Sequence, residues 1–217
     1  MRRLLLAGLL GTLPAFVVIA VTATAVETAV AASSKSVTLN VAPKVLVFGN
    51  RITLSGAVTP AKSNQSVNIQ ARACGQTSAT PVLGVRTGPN GTYSAGQAPS
   101  LNTVYQAQWH SVASAAVRVL VRPKIKLEKL ARRRFRVQVT AARSLAGRSV
   151  IFQRRSSRKW STVRNLRLRN MGQVVTTAIS GRVFRSKVRK RRKIRIRLSA
   201  KQASPCYVGG RSNIIHS

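Results

Sequence analysis

Beyond its first 31 residues the chain repeats apolar side chains at every second position, a period that admits strands and excludes long amphipathic helices. Val37, Leu39 and Val41 alternate, as do Ile52 and Leu54, Val67 and Ile69, Tyr105, Ala107 and Trp109, and Val117, Val119 and Val121. Successive side chains of a strand point to opposite faces, so each run reads as a half-buried strand with one face toward a core. Turn chemistry falls between the runs at Gly49-Asn50, Thr59-Pro60 and Pro89-Asn90-Gly91. Asn-Gly favours the backbone of a two-residue hairpin, so residues 89–91 are expected to join two paired strands.

From residue 122 onward the alternation persists, now with cations at the outward positions. Phe135, Val137 and Val139 face one way while Arg134, Arg136 and Gln138 face the other. Leu166-Arg167-Leu168-Arg169 and Lys193-Ile194-Arg195-Ile196-Arg197-Leu198 read the same way, so the outer face of this half should carry guanidinium groups over an apolar interior. Of 38 lysines and arginines, 29 lie in 122–217 and seven in 32–121. Glu128 is the single acidic residue of 32–217, and the chain has no aspartate. Charge at that density repels itself over roughly 8–10 Å at physiological salt, so the compact state gains from counterions or from an anionic partner. Arginine outnumbers lysine 27 to 11, which favours flat, two-pronged contacts with phosphate or carboxylate.

The scarcity of acids also bears on catalysis, because general acid–base work needs a tuned titratable group at the reacting proton. A Ser-His-acid arrangement would have to recruit Glu128 with His110 or His216, and neither histidine stands in a nucleophile context. No catalytic residue, metal ligand or cofactor is therefore expected, and the chain is read as a non-enzyme. Cys74 and Cys206 fall one in each half. Pairing across the halves and pairing with another molecule both stay open at this level.

Met1-Arg2-Arg3, an apolar stretch over residues 4–26 and Ala29-Val30-Ala31 together have the positive start, apolar middle and small-x-small end of an export signal spanning 1–31. The stretch is also long enough to remain in a bilayer as an uncleaved anchor, the one membrane contact expected. Either fate leaves the remainder secreted or at the cell surface.

A weak internal repeat organises that remainder. Val41-Ala42-Pro43-Lys44-Val45 matches Val121-Arg122-Pro123-Lys124-Ile125 at an offset of 80, and Val67-Asn68-Ile69-Gln70-Ala71-Arg72 matches Val150-Ile151-Phe152-Gln153-Arg154-Arg155 at an offset of 83. Two units follow, 35–121 and a strongly basic 122–217, with Pro123 ending a strand at the boundary and stiffening the joint. The run from Gly49 to Pro60, with Val67-x-Ile69-Gln70, Asn90-Gly91-Thr92-Tyr93-Ser94 and Thr103-Val104-Tyr105-Gln106-Ala107, resembles bacterial immunoglobulin-like domains of secreted proteins. Gln153 to Trp160 and Tyr207-Val208-Gly209-Gly210-Arg211-Ser212 resemble parts of a second copy. The expected fold is all-β: an N-terminal signal or anchor helix followed by two tandem immunoglobulin-like β-sandwiches. The resemblance implies a module that displays, spaces or binds, and implies no chemistry.

The candidate binding residues are cations of the second unit. Arg132, Arg133 and Arg134 form one run, Arg154, Arg155, Arg158 and Lys159 a second, and Arg189, Lys190, Arg191, Arg192 and Lys193 the densest. Arg134, Arg136, Arg195 and Arg197 are the expected outward contacts on strands, beside a loop clamp at 189–193. Such a surface can follow a line of phosphates or sulfates, each contact releasing a condensed counterion. Trp160 is the aromatic best placed to stack a base, although a lone Trp at a strand edge reads more readily as a core anchor. The expected partner is an anionic cell-wall or extracellular polymer. Non-specific nucleic acid is the alternative and a purely structural spacer role the third reading; the sequence fixes no oligomeric state.

Overall fold

The alternating runs fold as strands in the computed structural model, which describes residues 34–217. The leader expected over 1–31 lies outside those residues. In the first half the strands are β1 (Ser36–Val37), β2 (Asn40–Ala42), β3 (Val45–Val47), β4 (Ile52–Thr59), β5 (Ser66–Ala73), β6 (Thr80–Arg86), β7 (Thr92–Gln97), β8 (Thr103–Trp109), β9 (Val112–Ala113) and β10 (Val117–Arg122). The second half has β11 (Lys124–Ala131), β12 (Arg134–Ala141), β13 (Ser149–Ser156), β14 (Lys159–Arg167), β15 (Arg169–Val174), β16 (Thr177–Arg185), β17 (Lys193–Leu198), β18 (Gly210–Arg211) and β19 (Ile215–His216). One helical turn, α1 (Ala200–Ala203), follows β17, capped at its start by the Ser199 hydroxyl. Among the described residues no helix is long and apolar enough to cross a membrane.

The strands pair into four sheets. Before Pro123 these are β1-β4-β2, with β7 also on β4, and β3-β10-β8-β5-β6, with β9 also on β8. After it they are β11-β12-β16-β15 and β14-β13-β17-β18, with β19 also on β17. The result is an all-β, sandwich-like architecture in which the inward residues of facing sheets meet. Ile52, Leu54, Ile69, Tyr105 and Ala107 are buried in the first half, and Leu127, Val137, Phe152, Ile194 and Ile196 in the second. Phe135, Phe152 and Phe184 pack there as a triad, with ring centroids 5.1–6.3 Å apart. Each such side chain contributes about 1.5–3 kcal/mol by leaving water, and the tilted and edge-on contacts add to it.

Two local expectations are corrected. Residues 89–91 do form a tight turn, with the Gly91 N–H donating to the Gly88 carbonyl at 3.0 Å and Gly91 at φ +70°. That turn is no hairpin: it carries the chain from β6, in one sheet, to β7, which pairs with β4 in the other. Turn chemistry sets the local bend, whereas the destination depends on which distant strand offers an open edge. Leu166-Arg167-Leu168-Arg169 is likewise not one strand, since β14 ends at Arg167 and β15 begins at Arg169 in the opposite sheet. Leu166 and Leu168 are both buried, so the alternation continues through a sheet switch.

The halves are locked end to end. Cys74 and Cys206 form a disulfide across a sequence separation of 132 residues. Asn102, itself buried, sits beside it: its N–H donates to the Cys206 carbonyl at 2.9 Å, its Nδ2 to Pro205 O at 3.2 Å, and its Oδ1 accepts from Val121 N–H at 2.8 Å. Arg143 reaches back from the second half, with Nη2 donating to Cys74 O at 3.1 Å, while its own N–H donates to the Tyr207 hydroxyl at 2.9 Å. The Val208 N–H donates to Val121 O at 2.9 Å. Buried residues of both halves accordingly form one continuous core cluster.

Candidate anion-binding face

The outer face of the β14-β13-β17-β18 sheet is built around Arg195. Register sets Gln153 opposite Arg195, Ile151 opposite Arg197, and Arg211 opposite Arg197 from the other side. Arg195 Nε donates to Gln153 Oε1 at 2.9 Å, which satisfies a glutamine that is otherwise buried. The guanidinium lies 3.9 Å from the centroid of the Trp160 ring, a close cation–π contact. Trp160 comes into reach because it pairs with Arg155 across the β13–β14 hairpin, after a bulge at Phe152–Gln153. It is neither a core anchor nor a free stacking platform: it is half-buried on the outer face beneath Arg195.

The Arg195 guanidinium is held below its ordinary titration range, first by partial burial and then by the positive charges of Arg211, Arg197 and Arg155. Four guanidiniums therefore share this face. The one side-chain carboxylate of the half is elsewhere: Glu128, on β11 of the other sheet, lies 2.6 Å from Lys126 Nζ and 3.8 Å from Arg136 Nη1. Those contacts hold its carboxyl below the usual range, the hydrogen bond and charge of Lys126 being the main causes. Toward the junction the face runs into a groove of about 610 Å³ whose lining includes Arg122, Lys124, Arg197 and Arg211.

A second cationic region occupies the far end of the same half. The two-residue turn Arg132-Arg133 closes the β11–β12 hairpin with Arg133 at φ +61°, and the Ser186 N–H donates to the Arg133 carbonyl at 2.9 Å, tying the 186–192 loop to that tip. Clefts of about 400 and 510 Å³ flank the tip, the first lined by Arg189, Lys190 and Arg191, the second by Arg164, Arg185 and Lys187. Arg158 and Lys159, at the β13–β14 turn, emerge at the same end, because β13 runs antiparallel to β17 and Lys193 opens β17 there.

The expected site residues thus divide. Arg132, Arg133, Arg158, Lys159, Arg189, Lys190, Arg191 and Arg192 gather at the far end, and Arg155, Lys193, Arg195 and Arg197 lie along the β13 and β17 strands. Arg154 is exposed on β13 opposite Ile194. Arg134 and Arg136 do not join Arg195 and Arg197 on one surface, since β12 belongs to the opposite sheet, where Arg136 faces Glu128 across the register. Alternation distinguishes inside from outside but not one outer face from the other. Sequence reasoning missed Arg211, which sits in a two-residue strand with no period to read, and left Arg122 and Lys124 unassigned. Gln153 was legible only as part of the repeat. Among the described residues no group of three His, Cys, Asp or Glu side chains could hold a metal ion. No protein-family model matches the chain, and no curated protein matches it.

Proposed function

We propose that this is a secreted or cell-surface, non-catalytic binding or adhesion module. Its units 35–121 and 122–217 are immunoglobulin-like sandwiches, and the second docks on an anionic envelope polymer. Support for the fold reading comes from strand order. If β11 to β19 are lettered A, B, C, C′, D, E, F and a split G, the two sheets read A-B-E-D and C′-C-F-G, the order expected of such sandwiches. The rigid joint at Asn102, Arg143 and the disulfide suits a first unit that holds the second at a set distance from its attachment.

The observation that carries the binding reading is the cluster Arg155, Arg195, Arg197 and Arg211 on one sheet face with no carboxylate beside it. Like charges in register destabilise a sheet, and a polyanionic partner would neutralise them. The nucleic-acid reading is weaker, because the one suitably placed aromatic is already covered by Arg195. The test is equilibrium binding of the chain to teichoic acid, heparin and duplex DNA at matched charge, over a salt series. Binding whose logarithm falls linearly with log salt supports the reading, and reversing Arg189, Arg191 and Arg192 to Glu should flatten the slope by roughly one unit per lost contact. Failure to bind any of the three sinks it.

A further inference from the structure

The cations on β17 repeat with the strand: Lys193, Arg195 and Arg197 occupy alternate positions and share one face. Two residues of strand advance about 6.6–6.8 Å, and that advance is six backbone bonds drawn out nearly straight. A polymer in which phosphodiesters are joined through three carbons also repeats every six bonds, counting P–O, O–C, C–C, C–C, C–O and O–P. Extended, its phosphates recur at close to the same pitch. A bridge of five carbons adds two bonds per repeat and falls out of step within two phosphates. An acidic polysaccharide with one carboxylate per disaccharide is sparser still.

We propose that the face carries a site for an extended polyphosphodiester with three-carbon bridges, a poly(glycerol phosphate) chain, laid along β17 with successive phosphates on Lys193, Arg195 and Arg197. This rests on the polyanion-binding reading above and names the polymer. Arg195 is the fixed point. Its Nε is committed to Gln153 and its plane to Trp160, so the two Nη groups remain as an outward fork that meets two phosphate oxygens without first being ordered. Arg211, opposite Arg197, supplies a second cation to the same phosphate. Single-stranded nucleic acid shares the three-carbon pitch, but its bases would find no uncovered ring on this face.

The experiment measures affinity of the full chain for four probes at equal charge concentration: poly(glycerol phosphate), poly(ribitol phosphate), hyaluronate and oligodeoxythymidylate. Poly(glycerol phosphate) should bind tightest, by about tenfold over the ribitol polymer, the cost expected for one misaligned two-pronged contact. Arg195→Lys keeps the charge and loses the fork, so it should remove most of that preference. Arg197→Lys, outside the Gln153 and Trp160 contacts, repeats the test where Arg195→Lys unfolds, with circular dichroism as the check. Equal affinity for all four probes, or a preference that survives both lysine variants, overturns the pitch match and leaves the polyanion reading standing. Tighter binding of oligodeoxythymidylate overturns the choice of polymer, and binding of none of the four removes the underlying reading as well.

Discussion

The same sheet position in the two halves carries opposite chemistry. In the first half Gln70 on β5 stands opposite Gln106 on β8, and Asn68 opposite Gln108; in the second, Gln153 stands opposite Arg195, and Ile151 opposite Arg197. Between them the inward residues agree in kind: Ile69 and Ala107 on one side, Phe152 and Ile196 on the other, all fully buried. In the first half Gln70 Nε2 donates to Gln108 Oε1 at 2.5 Å, whereas in the second Gln153 accepts from Arg195. The fold therefore asks only for a polar or neutral residue at these outward places. Arg195 has a structural part, since it satisfies Gln153 and packs on Trp160, whereas Arg197 and Arg211, directly opposed, repel one another.

The largest test of this comparison separates the halves. Replacing Cys74 and Cys206 with Ser opens a loop whose ends are 132 residues apart, a loss of about 4–5 kcal/mol in the chain-entropy picture. Thermal unfolding of that variant should resolve into two transitions, the basic half melting first at low salt and moving up as salt screens it. One transition that ignores salt would show that charge does not distinguish the halves. Next come the cores, where Phe152→Ala should cost about 3–5 kcal/mol and its counterpart Ile69→Ala about 2–5 kcal/mol in chemical denaturation. Comparable losses confirm that the interiors are equivalent although the surfaces are not.

A pH titration reads the burial of the first half's tyrosines, while burial also pushes up Tyr207 of the second half. Burial pushes Tyr93 and Tyr105 up to about 12 from an ordinary value near 10, and Tyr93 also donates to the Thr38 carbonyl. Both lie in the first half, on β7 and β8. Their contribution to stability is complete below pH 10, because folded and unfolded chains then both keep the phenol proton. It is lost as pH rises from about 10 to 12, where only the unfolded chain can ionise. Phenolate absorbance should appear near pH 12 in the folded chain; appearance of two tyrosines at pH 10 would contradict the burial.

Much of this was legible from the chain and some was not, for identifiable reasons. Val37 to Val121 and Phe135 to Leu198 read as strands because a period of two survives any arrangement of sheets, and the burial of Phe135 follows from the same pattern, whereas its packing on Phe152 and Phe184 depends on how the sheets face. Whether β7 would pair with β6 or β4 was not legible at Asn90-Gly91, because one turn sequence serves a hairpin and a crossover alike. The split of Arg134 and Arg136 from Arg195 and Arg197 was hidden for a related reason: two sheets have two outer faces with the same alternation. Arg211 and the partnership of Cys74 with Cys206 depend on register and end-to-end docking, which no local window contains.

The smallest effect isolates the cost of one charge. Arg211 is exposed and lies directly opposite Arg197, with Arg195 close by. Arg211→Gln removes a like-charge neighbour and should stabilise the fold by about 0.2–1 kcal/mol at low salt, the range seen for cross-strand pairs. The gain should vanish at high salt, because exposed charges are screened within a few ångströms there. The same substitution should weaken phosphate-polymer binding, so stability and affinity move in opposite directions on one residue. In the first half Gln106→Arg with Gln108→Arg runs the comparison backward: a small loss of stability at low salt, and added polyanion affinity on a face that already carries Arg72 and Arg118. If the Arg211 variant were less stable at every salt concentration, the guanidinium would be a structural part of the sheet, and the argument that it is kept for a partner would fail.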